Sequence, residues 1–145
     1  MSFNLERFVD AQASVYAEVE AELKAGRKRT HWMWYIFPQI RGLGSSSMAR
    51  QYAISGLAEA VAYLEHPLLG PRLCQCTELV NEIVAREPGT EIEQVLGYPD
   101  DLKFRSSMTL FARAAEELSD HPLLFAEALT LYFDGVPDAA TLELL

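Results

Sequence analysis

Apolar side chains recur every three or four positions along most of this chain. Leu5, Phe8, Val9, Val15, Tyr16, Val19 and Leu23 share one stripe with Gln12, while Glu18, Glu20 and Glu22 fall mostly off it. That period predicts an amphipathic helix over residues 5–23. Asn4 is placed to cap its start, and Lys24 and Gly26 to end it. One of Ser45, Ser46 and Ser47 is placed to cap a short helix through Met48, Gln51 and Tyr52, and Ser55 to cap another over residues 56–65.

The stretch EHPLLGPRL holds a stop and a start. His66 precedes a proline, which pushes it out of the helical region and suits it to an N-cap, with Pro67 at the first helical position. Leu69, Leu73, Cys76, Val80 and Ile83 then form a stripe that Pro88 and Gly89 end. Thr90 with Glu93 reads as a capping box for a helix that Gly97 stops. Residues 98–101, YPDD, read as a turn with Asp101 as cap of a helix bearing Phe104, Phe111, Ala115 and Leu118. SDHPLLFAEAL repeats the junction: His121 stands before Pro122, and a helix follows through Phe125, Leu129 and Tyr132. Asp138 is placed to cap a last turn. No alternating strand pattern appears. Residues 32–37, WMWYIF, are the exception and read as a short extended segment. The expectation is a single all-α domain, residues 1–145, of six or seven helices.

Composition narrows this reading. At 145 residues, half of them hydrophobic, the chain can bury a core without metal or disulfide staples. Its net charge of −9 is uneven. Residues 1–50 hold seven Lys/Arg against five Asp/Glu, whereas the remainder holds five against sixteen. The acidic portion argues against nucleic-acid binding, which needs a basic face. The basic run GRKRT, residues 26–30, reads as a solvated loop. Cys74 and Cys76, two apart, point to nearly opposite sides of a helix and read as small core residues. No apolar run approaches the roughly 20 residues of a membrane helix. Glu6, Arg7 and Asp10 occupy the place where a signal peptide needs apolar residues, so a cytoplasmic protein without a membrane partner is expected.

HWMWYIFPQIRGLGSSS, YLEHPLLGPRL, LGYPDDLKFRSSMTLF and YFDGVPDAATLELL together resemble the bacterial and fungal domain-of-unknown-function family 1810, often mislabelled calpastatin-like. The resemblance spans nearly the whole chain. It implies a loose connection with NAD and ADP-ribose metabolism and names no reaction. The calpastatin label carries no weight, because calpain inhibition uses long disordered repeats and this chain is compact and aromatic.

Candidate chemistry concentrates in two places. In the first, Trp34, Ile36 and Phe37 read as core. His31, Trp32, Gln39, Arg41, Gly42, Gly44 and Ser45 read as the lining of a cleft, with the Gly/Ser turn as a nest for an anion. The second is Asp100, Lys103, Ser106, Ser107 and Thr109, which share one or two helical turns. Serines and a threonine so close together weaken a helix, and a bound ligand would compensate. For acid–base work the candidates are His31 and Asp100, then Glu59; imidazoles titrate near neutrality. Ser-His-Asp order, nucleophile elbow, Walker loop and metal-ligand spacing are all missing, so neither metal nor cofactor is expected. Two functions fit. One is a small-molecule site for a phosphate- or carboxylate-bearing ligand, nucleotide-like or ADP-ribose-like, with hydrolysis of an N- or O-glycosidic bond as its reaction. The other is a non-catalytic interaction module that exposes the aromatic run as a patch.

Overall fold

The computed structural model describes residues 3–120 and 122–145, and these fold as one all-helical domain. Six helices have eight or more residues: α1 (Glu6–Ala13), α2 (Tyr16–Ala25), α5 (Leu57–Glu65), α6 (Leu69–Arg86), α8 (Asp100–Ala115) and α9 (Leu124–Phe133). Four short ones lie between or after them: α3 (Met33–Ile36), α4 (Ser47–Gln51), α7 (Ile92–Leu96) and α10 (Ala139–Leu144). The one β-type contact among the described residues is an isolated parallel bridge between Ile40 and Ile54.

Helix α8 runs through the centre, packed by α5, α7, α9 and α10. Phe104 and Phe111 on its inner stripe are fully buried. Phe104 meets Phe37 edge-on at 5.0 Å, and Phe111 lies 5.3 Å from Tyr63 and 5.9 Å from Phe125. Offset and edge-to-face pairs of this kind add about 0.5–1.5 kcal/mol each beyond simple burial.

Several local expectations shift. The first stripe is two helices, because the chain breaks at Ser14 and Val15. The break lets α1 pack on α3 and α2 on α6. Buried Gln12 turns inward near it, donating to the Tyr35 carbonyl at 2.7 Å and to the Tyr63 hydroxyl at 3.2 Å. Asn4 does not cap α1, and Ser55 does not cap α5; its amide donates to the Glu59 carboxylate at 2.7 Å. The capping box of α7 sits one residue later than expected, on Glu91 and Gln94. Asp101 is not a cap either, since α8 already begins at Asp100. Ser46 is the serine that caps α4, accepting from the Ala49 amide at 3.1 Å, and Asp138 caps α10 through the Thr141 amide. Gly26 ends α2 with φ +80, a left-handed turn that glycine adopts without strain.

The aromatic run departs most from expectation. Residues 33–36 form one helical turn instead of an extended segment, with non-helical Trp32 and Phe37 on either side. Helical spacing puts Met33, Ile36 and Phe37 into the core and leaves Trp34 and Tyr35 half-buried.

His66 holds the junction as foreseen, but α6 begins two residues later than expected, at Leu69, with Pro67 in the turn before it. His66 follows α5 in an extended conformation, and its Nδ1 accepts from the backbone amides of Leu68 and Leu69 at 3.1 and 3.2 Å, taking up free donors where the chain enters α6. His121 lies outside the described residues, and α9 begins at Leu124. The tight α5–α6 corner also depends on Gly70. A Cβ there would stand 2.1 Å from the Leu64 carbonyl oxygen, which belongs to a rigid helix end.

Two stability measurements check this corner. Replacing His66 by Ala removes the cap and should cost about 1 kcal/mol in urea unfolding, while His66→Asn should restore most of it. Gly70→Ala should cost at least about 2 kcal/mol, because backbone, not a movable side chain, opposes the new methyl.

Candidate functional site

A cleft of about 420 Å³ opens where the aromatic run, the Gly/Ser loop, the start of α8 and the start of α10 meet. Trp34 and Gln39 come from the run, Gly44, Ser45 and Ser46 from the loop, Lys103 and Ser106 from α8, and Asp138 from the cap of α10. Leu43, Ala49, Pro99, Leu102 and Ala140 supply its apolar walls. The Lys103 ammonium sits 5.1 Å from the centroid of the Trp34 ring. Among the described residues, neither the Trp34 indole N–H, nor the Gln39 amide, nor the Ser45 hydroxyl has an internal hydrogen-bond partner, so all three remain available to a bound molecule.

A relay of charged groups runs behind this wall. Glu22 on α2 accepts from the amides of Arg29 (2.7 Å) and Thr30 (3.1 Å), the Thr30 hydroxyl (2.6 Å) and the Trp32 indole N–H (2.9 Å). Burial alone would raise the Glu22 pKa; these donors outweigh it and lower the value from 4.5 to about 2. Lys28, one residue before this clamped stretch, is buried 5.2 Å from the Trp32 ring. Its ammonium pairs with Asp100 at 2.9 Å, and the other oxygen of Asp100 faces Lys103 at 3.4 Å. Asp100 thereby positions Lys103 over Trp34.

Five of the expected lining residues share the cleft: Gln39, Gly44, Ser45, Lys103 and Ser106. Others do not. Trp32 is buried, 1% exposed, with its indole N–H spent on Glu22, so Trp34 takes the place at the cleft that was expected of Trp32. Trp32 precedes the helical turn in a non-helical conformation while Trp34 lies within it, and the two indoles face different surroundings. His31 is exposed and outside the cleft lining; its carbonyl accepts from the Tyr35 hydroxyl at 3.0 Å. Asp100 lies behind the lining with both oxygens in ion pairs. Arg41 and Gly42 line a neighbouring cavity that shares Gly44 with the cleft. Ser107 is fully buried and its hydroxyl has no partner. Glu59 is buried in an ion pair with Arg7 at 3.0 Å.

Two polar residues of α8, Ser106 and Thr109, are compensated from within. Ser106 donates to the Leu102 carbonyl at 3.2 Å and to Asp138 Oδ2 at 2.9 Å. Thr109 donates to the Arg105 carbonyl and accepts from the Asp138 amide, both at 2.9 Å. Sequence reasoning missed the positions of Trp34, Lys28 and Asp138. The basic run before the aromatics was the available signal for Lys28. For Asp138 at the cleft there was none. The thiol of Cys76 is pushed up to about 12, chiefly by burial, which makes it a core residue and not a nucleophile. Among the described residues, no group of three or more His, Cys, Asp or Glu could hold a metal ion, and no helix is long and apolar enough to cross a membrane.

Fold and cleft define a single-domain, all-helical protein with a mixed polar and aromatic cleft lined from both its N- and C-terminal parts. The chain belongs to the family described as "Protein of unknown function (DUF1810)", whose model matches residues 2–145. It is similar to the conserved hypothetical protein Rv1873 from Mycobacterium tuberculosis, known from a crystal structure. The two share 56% sequence identity with a TM-score of 0.90, over 99% of this chain and 96% of that one. No curated protein matches.

The Glu22 clamp has a pH signature. A carboxyl held low in the folded state stabilises fully above its ordinary range and loses that contribution as pH falls from 4.5 toward 2. Wild type should therefore lose its stability advantage over Glu22→Gln across that window, read as urea midpoints by tryptophan emission.

Proposed function

We propose that this protein binds a small nucleotide-like or ADP-ribose-like molecule in the Trp34 cleft. The observation that carries the reading is the convergence of the Trp34 ring, the Lys103 ammonium and the unspent Gln39 and Ser45 side chains on one cleft of about 420 Å³. Ligand sites combine apolar walls with a few such convergent polar groups. In this reading the ring supplies a face for a base, and Lys103 with the Ser45 hydroxyl takes the phosphate or carboxylate. Asp138 turns Oδ2 toward Ser106 and Thr141, which leaves Oδ1 for ligand hydroxyls.

Hydrolysis of a glycosidic bond in such a ligand is the reaction that fits this reading, with Asp138 the carboxylate among the lining residues. The ligand is a small molecule and not a nucleic acid, in keeping with the net charge of −9. A cytoplasmic setting agrees with two free cysteines. The interaction-module reading has less support, because Trp32, Met33, Ile36 and Phe37 are buried and the run offers no continuous patch.

Isothermal titration with AMP, NAD and ADP-ribose tests the proposal. At least one should bind, and Trp34→Ala and Lys103→Ala should each weaken it by about tenfold or more, the loss of a stacking or charged contact worth about 1–3 kcal/mol. Absence of heat with all three, or equal affinity in both variants, would overturn it.

A further inference from the structure

Positive charge gathers beside the Trp34 cleft, where the Ile40–Ile54 bridge ties the loop after the aromatic run to the segment after α4. The Arg41 amide donates to the Ile54 carbonyl at 2.8 Å and the Ile54 amide to the Gln39 carbonyl at 2.9 Å. These bonds fix Arg41 against residues 53–55. Arg50 approaches from the last turn of α4. The two arginines, with Ala53, wall two cavities: one of about 420 Å³ toward Arg7 and Ser55, and one of about 260 Å³ toward Gly42 and Gly44.

The three arginines here differ in their partners. Arg7 is neutralised by Glu59 at 3.0 Å and donates to the carbonyls of Gln51 and Ala53 at 2.9 and 2.8 Å. The guanidiniums of Arg41 and Arg50 have no ion pair and no hydrogen bond among the described residues, and both residues are exposed. Two uncompensated cations on one cavity repel each other, in a chain whose net charge is −9. An oxyanion between them relieves that repulsion, and the guanidinium fork matches phosphate geometry with paired N–H donors.

We propose that Arg41 and Arg50 form an oxyanion subsite that takes a phosphate group. The smaller cavity shares Gly44 with the Trp34 cleft. Gly44 itself packs closely against α4, where a Cβ would lie 2.6 Å from the Ala49 Cβ, so the residue common to both cavities carries no side chain. A single ligand can therefore present a ring to Trp34 and pass a phosphate across Gly44 to the arginines. This spanning placement rests on the reading of the Trp34 cleft as a ligand site; the oxyanion subsite stands without it.

The test uses the full chain and two probes. Pyrophosphate, followed by amide NMR, should give saturable shifts confined to residues 41–44 and 50–53. Arg41→Gln/Arg50→Gln should weaken it by about tenfold or more, and each single variant by less. Both side chains are exposed, so circular dichroism of the variants should match wild type. No saturable shift, or an unchanged one in the double variant, overturns the subsite. ADP and AMP test the span through Trp34 emission. ADP should bind about tenfold or more tighter than AMP, and the double variant should erase that gain while AMP still binds. Equal affinities for AMP and ADP in wild type, with pyrophosphate still bound, overturn the span. If pyrophosphate binds the arginines while AMP, NAD and ADP-ribose all leave Trp34 untouched, the cleft reading fails and the subsite survives.

Discussion

The carboxylate of Glu22 is the contact on which the cleft depends. It stands on α2 and gathers four donors from residues 29–32, a stretch with no helical hydrogen bonds of its own. Of these donors the Trp32 indole N–H belongs to a buried residue, and leaving it unpaired would cost about 1–3 kcal/mol. With this stretch held, Lys28 is buried and reaches Asp100, and Asp100 in turn reaches Lys103. The charge at the cleft mouth is therefore set on a helix that does not touch it.

The single turn of α3 divides the aromatic run by function. Met33, Ile36 and Phe37 meet the core, with Phe37 edge-on to Phe104. Trp34 is turned toward the loop and α8. Gln12 ties this turn to the rest of the domain by donating to the Tyr35 carbonyl, a group that a one-turn helix leaves free. The same six residues thus serve as strut and as wall, and the strut holds the wall in place.

Charge is distributed to match. Asp138 and Lys103 face each other's neighbourhood in the cleft, while Arg41 and Arg50 stand uncompensated next to it. Two ionic groups with little exposure are paired elsewhere, Glu59 with Arg7 and Lys28 with Asp100. Among the described residues, Arg41 and Arg50 are thus two exposed cations without an ion pair that share one edge of the domain with the cleft that has unspent donors.

The sequence by itself determined the helical class, the long stripes of α6, α8 and α9, the end residues Gly26 and Gly97, the cap at Asp138 and the role of His66 at the α5–α6 corner, and it narrowed the cap of α4 to three serines. These follow from contacts within one or two turns, where spacing alone decides which groups meet. Gln39, Gly44 and Ser45 in one local segment and Lys103 and Ser106 in another could each be grouped from spacing, whereas the tertiary structure decided that the two segments line one cleft. Only the tertiary structure decided that Trp34 and not Trp32 faces the cleft. A run of six aromatic and apolar residues fits a strand or a helical turn equally well, and here Glu22 takes the Trp32 indole N–H before the turn and Gln12 the Tyr35 carbonyl within it. Tertiary structure also decided that Lys28 is buried against Asp100, and that Asp138 reaches a cleft begun about a hundred residues earlier. Neither pairing leaves a trace in local spacing, because each depends on how α2, α8 and α10 pack around the shared core.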